Sequence, residues 1–120
     1  MAKNQFVDYS QEKEMIHSYN VIAINNGKMY DPVTLRIYKS RSPHASTIYA
    51  SFWAGKYRGS GSAGGYGYDK SRTAAWEAVD KAGLDASGFL PGSPKRAIRD
   101  ALSDIARSLG YEGELLIVEN

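Results

Sequence analysis

The chain has 120 residues, no cysteine, 42% hydrophobic and 23% charged residues, and a net charge of +2. That composition excludes disulfide scaffolds, thiolate nucleophiles and cysteine-held metals, and it sets aside the disordered, collagen-like and coiled-coil classes. No apolar run approaches the ~20 residues that span a bilayer, and the first residues form no apolar leader, so a soluble, cytoplasmic protein of one domain is expected.

Residues 1–18 read as an N-terminal arm with a short helix over about 10–17, which Ser10-Gln11-Glu12-Lys13-Glu14 opens as a capping box. Residues 19–120 read as a single α+β domain. Tyr19–Ile24 is rich in β-branched residues and predicts a strand. Asn26-Gly27 supplies the turn, Lys28–Tyr30 the return strand, and Asp31-Pro32 the break. Val33–Tyr38 and Thr47–Trp53 alternate apolar and polar residues, the period of half-buried strands. Residues 55–70 hold six glycines and three tyrosines and predict a long loop, because ordering glycine costs the most backbone entropy. A helix is expected over Ser71–Ala82, capped by Asp69 or Ser71 and ended by Gly83. A second follows Ser93 as N-cap and Pro94 as first residue, with an apolar stripe from Ala97 to Leu109 and a stop at Gly110. Glu114–Glu119 predicts a last strand. The order gives an antiparallel sheet of about four to five strands with two helices packed on one face.

Charge is uneven along this plan. From Arg36 to Arg72 there are seven basic residues and one acid, a net of +6, while the remainder carries −4. Such asymmetry favours an anionic ligand or partner. Gly59-Ser60-Gly61-Ser62-Ala63-Gly64 matches G-x-G-x-x-G, but the expected hairpins and the late helix start do not give the βαβ context that a dinucleotide site needs. A looser site remains. Lys56, Arg58, Lys70 and Arg72 interleave with Tyr57, Tyr66 and Tyr68, a mixture suited to holding phosphates and stacking bases. Arg36, Tyr38 and Trp53 add an aromatic, basic sheet face. Catalytic constellations are missing from the sequence. His17 and His44 stand far apart, and Asp69 fits a helix cap better than a general base. The expectation is a protein without enzymatic activity, cofactor or metal.

From Tyr49 through Leu109 the chain resembles small, largely uncharacterised proteins encoded by phages, prophages and plasmids. The carrying segment is Gly59-Ser60-Gly61-Ser62-Ala63-Gly64-Gly65-Tyr66-Gly67-Tyr68-Asp69-Lys70, followed by Ser71-Arg72-Thr73-Ala74-Ala75. The resemblance implies a mobile-element origin and, with it, a counter-defence role of the anti-CRISPR kind. On that reading the protein inhibits a host defence protein or ribonucleoprotein complex through the basic, tyrosine-rich loop and the aromatic surface. The alternative is direct binding of single-stranded nucleic acid or a nucleotide ligand. Neither reading involves a membrane, and spare aromatic faces leave room for a homodimer.

Overall fold

Alternation of side chains builds a six-stranded sheet whose two faces differ sharply in character. The computed structural model describes residues 6–25, 27–42, 44, 46–64, 69–90 and 97–120, with backbone alone at Asn25, Lys28 and Met29. The strands are β1 (Lys13–Asn25), β2 (Lys28–Met29), β3 (Val33–Ser40), β4 (Ile48–Ala54), β5 (Tyr57–Ala63) and β6 (Glu114–Glu119). Between β5 and β6 lie α1 (Lys70–Lys81), a 3-10 turn (Ser87–Phe89) and α2 (Ile98–Ser108). All described pairings are antiparallel: β3 joins β1 to β4, β5 pairs with β4, and β1 also pairs with β2 and β6. The protein is therefore an α+β fold, an antiparallel sheet with two helices on one face. Among the described residues no helix is long and apolar enough to cross a membrane.

Register defines the faces. Tyr19, Leu35, Phe52 and Gly59 stand in one cross-strand row, and Val21, Val33, Ala54 and Tyr57 in the next. These rows face the helices, where they meet Ala74, Ala75, Ala78 and Val79 of α1 and Ala101, Leu102, Ile105 and Ala106 of α2 in one core. Burial of this apolar face is the main favourable term for the fold. Both helices end as their glycines predict. Gly83 (φ 88°) donates to Asp80 while Leu84 donates to Val79, and Gly110 (φ 87°) and Tyr111 repeat the pattern on Arg107 and Ala106.

Three expectations need correction. Residues 10–17 form no helix. The position three on from Ser10, where a capping glutamate belongs, is Lys13; its N–H bonds Tyr9 O, and from there the chain enters β1. The ladder to β3 outweighs the local helical preference, so residues 13–18 belong to the sheet. The second helix starts later than expected, at Ile98 with Ala97 as N-cap, while Ser93 and Pro94 lie outside the described residues. The third correction concerns the glycine-rich stretch. Its first half is no loop but the edge strand β5, turned at Gly55-Lys56 with positive φ at Gly55.

Those strand glycines have a steric reason. A Cβ on Gly59 would lie 2.2 Å from Ala78 O and 2.6 Å from Ala82 N; on Gly61 it would lie 2.6 Å from Ala74 O. Helix α1 lies directly on the β5 backbone, and only glycine leaves room for it. Glu77 of α1 also reaches over the strand edge, where its Oε1 accepts the Ser62 N–H at 3.3 Å and pairs with Lys81 at 3.2 Å.

Candidate functional site

The face turned away from the helices is polar and aromatic. Its rows run Asn20–Thr34–Trp53–Arg58, then Ser18–Arg36–Ser51–Ser60, then Met15–Tyr38–Tyr49–Ser62. Sequence alternation placed Arg36, Tyr38 and Trp53 on one face, and they share it. Arg58, one step past the tight turn, joins them beside Trp53. The Arg36 guanidinium lies 5.0 Å from the centre of the Trp53 ring, a cation–π contact that fixes both side chains. Asp31, Pro32, Trp53, Gly55 and Arg58 line an open recess of about 370 Å³ at this corner. Arg58 is exposed, and among the described residues its Nε reaches Gly55 O, at 3.5 Å.

The other half of this face is covered by residues 6–9, an extended arm. Phe6 meets the Trp53 ring edge-on with centroids 5.6 Å apart. Tyr9 lies 5.8 Å from Tyr38 and 5.0 Å from Tyr49. Between them the Ser51 hydroxyl donates to Val7 O at 2.8 Å, and the Ser60 hydroxyl accepts the Val7 N–H at 3.0 Å. Lys13 completes the cover at 4.6 Å over Tyr49. With the arm seated, Tyr38 is 1% exposed.

The remaining predicted site residues do not gather at one place. Tyr57 follows Lys56 into the strand and points to the helix side, opposite to Arg58, with the Lys56 ammonium 5.3 Å from its ring centre. Lys70 and Arg72 sit at the other end of the sheet, separated from Lys56 by the length of β4, about 20 Å at the usual strand rise. Both are engaged within the molecule. Lys70 Nζ donates to Ser46 O at 2.8 Å. Arg72 Nε donates to Asp69 Oδ2 at 3.1 Å and Nη1 to Gly88 O at 3.4 Å, and its side chain is 13% exposed. Tyr66 and Tyr68 lie outside the described residues.

Asp69 has the cap role. It is the one non-glycine with positive φ (54°) among the described residues, and its Oδ1 accepts the Arg72 N–H at 3.1 Å. A short polar side chain tolerates that conformation, and its negative charge occupies the helix N-terminus that an external anion would otherwise use. His17 Nε2–H donates to Glu119 Oε1 at 2.9 Å and the ring stacks on Tyr19 on the helix side, whereas His44 is exposed elsewhere. Among the described residues no cluster of three His, Asp or Glu side chains is placed to hold a metal ion.

What sequence reasoning missed is the arm. Phe6 and Tyr9 read as scattered aromatics in a polar tail; they stand three residues apart, whereas Tyr49 and Trp53 stand four apart along β4, so spacing gives no signal for the pairing. No protein-family model, curated protein or solved structure matches this chain.

Proposed function

We propose that this chain is a non-enzymatic binding protein and that the Arg36–Trp53–Arg58 corner is where it holds its partner, a single-stranded nucleic acid or a nucleotide. The carrying observation is the recess itself. An indole lines it, its ring fixed by Arg36, and an exposed guanidinium stands beside it, with the Asp31 carboxylate on the same rim. A flat base stacks on the indole, Arg58 contacts phosphate, and Asp31 accepts from a base N–H, such as N3–H of thymine. Lys56 in the adjoining turn adds positive charge. The test is titration of a labelled oligothymidylate at two salt concentrations. Affinity falls as salt rises, and Arg58→Ala weakens binding and lowers the salt slope by about 0.7. Absence of binding at low salt removes the reading.

A second reading puts a host defence protein on this chain and accords with the resemblance to phage-encoded proteins. It has its own support. Ile24, Leu116 and Val118 are 51%, 59% and 39% exposed where β6 borders β1, an apolar strip of the kind that marks protein contacts. In that case Leu116→Asp abolishes capture of the partner and leaves oligonucleotide affinity unchanged.

A further inference from the structure

The arm fills a trough that has the features of a peptide site. Ser51 and Ser60 are directly opposite each other on β4 and β5, and they are 1% and 5% exposed. Their hydroxyls engage both polar groups of a single residue, the C=O and N–H of Val7. Such a pair reads a peptide backbone and ignores the side chain; Val7 is accordingly 49% exposed. One residue before this clamp an aromatic ring meets Trp53, and two residues after it another ring meets Tyr38 and Tyr49. The intervening Asp8 carboxyl is held below the usual carboxylate range by hydrogen bonds from the Ser10 side chain and backbone and, more weakly, by the charge of Arg36.

We infer that this trough is a binding site for extended peptides of the pattern aromatic–any–any–aromatic, and that the protein's own residues 6–9 are its resident occupant. The arm belongs to no strand, and a turn at residues 10–12 connects it to β1. A segment supplied by another protein with the same pattern therefore competes for the same contacts without disturbing the ladder. The hydroxyl clamp is satisfied here by the N–H and C=O of one peptide residue, which every peptide residue but proline repeats, whereas a nucleic acid offers such a pair only on certain base edges. This inference does not depend on nucleic-acid binding at the neighbouring recess.

The experiment uses the full chain and a fluorescently labelled peptide of residues 4–11. Displacing the resident arm limits affinity in the native protein, so Phe6→Ala/Tyr9→Ala binds the peptide about tenfold more tightly, as expected if the arm occupies about 90% of native molecules. A peptide with both aromatics changed to alanine does not bind. In the native chain, millimolar peptide removes the hydrogen-exchange protection of the Val7 amide and shifts the Trp53 indole resonance, a readout that stands even where the double variant fails to fold. The proposal is overturned by a folded double variant with no gain in affinity, by equal binding of the alanine peptide, or by Val7 protection unchanged at millimolar peptide. Release of the arm by oligothymidylate but not by peptide also overturns it, and assigns the trough to nucleic acid.

Discussion

Replacing Gly59 by alanine adds one methyl group against the backbone of α1. The new carbon lies 2.2 Å from Ala78 O, 2.6 Å from Ala82 N and 3.0 Å from Lys81 C. All three are main-chain atoms of one helix, so no rotamer change relieves the clash. Restoring ordinary contact requires α1 to retreat by about 1.2 Å from β5, which also loosens Ala74 and Ala78 from the strand. Overpacking of this kind costs about 3 kcal/mol at the upper end of its usual range. The smaller entropy of the unfolded alanine chain offsets about 0.4–1 kcal/mol of that. The net loss is about 2 kcal/mol, or a fall of about 8 °C in Tm for a chain of this size. Urea unfolding followed by circular dichroism measures it, with the m-value unchanged. Ser62→Ala, at an exposed position of the same strand, stays within about 0.5 kcal/mol of the native protein. If the segment were a free loop, Gly59→Ala would be neutral or stabilising through the same entropy term. An unchanged or raised Tm therefore refutes the packing argument outright.

Arg72→Ala removes the tie between the α1 cap and Gly88 and lowers stability by about 2 kcal/mol, while oligonucleotide affinity stays the same. Deleting residues 59–67 unfolds the protein, because the cut removes all of β5 but Tyr57 and Arg58, the strand on which α1 rests; far-ultraviolet circular dichroism detects this directly. Stability falls at alkaline pH. Burial first, then the charges of Glu119 and Asp69, raise the Tyr19 hydroxyl above its ordinary value; burial and Asp31 do the same for Tyr111. A raised folded pKa means the unfolded chain loses its proton first, so stability is full below about pH 10 and declines as pH climbs through the folded value. Tyr19→Phe reduces that decline in a series of urea titrations from pH 8 to 11; an unaltered decline contradicts the assignment.

Much of the sheet was legible because period-two alternation over Val33–Tyr38 and Thr47–Trp53 has one interpretation when the opposite face is buried. The terminating glycines at 83 and 110 were legible for the same reason: each occupies a left-handed position that other residues avoid. The strand β5 was hidden because glycine is a poor strand former in isolation. Its signal is relational. Gly59 and Gly61 recur at strand period, and Ala74, Ala78 and Ala82 recur at helical period, so two smooth surfaces fit one another. Neither half shows this without the other. The basic cluster failed as a unit for a similar reason. Residues within twenty positions of one another are drawn to opposite ends of the sheet once the hairpin and the helix run antiparallel. Of the predicted ligand contacts, Arg36, Trp53 and Arg58 come together, while Arg72 and Tyr38 are engaged in holding the fold.

The two tryptophans offer the most direct test of the binding corner, since Trp53 lies on the outer face and Trp76 on helix α1 across the sheet. Titrating the isotopically labelled chain with oligothymidylate at low salt should shift the Trp53 indole N–H resonance progressively and leave that of Trp76 in place. A shift confined to Trp76, or no shift of either at millimolar oligonucleotide, would contradict the assignment of the Arg36–Trp53–Arg58 corner as the site.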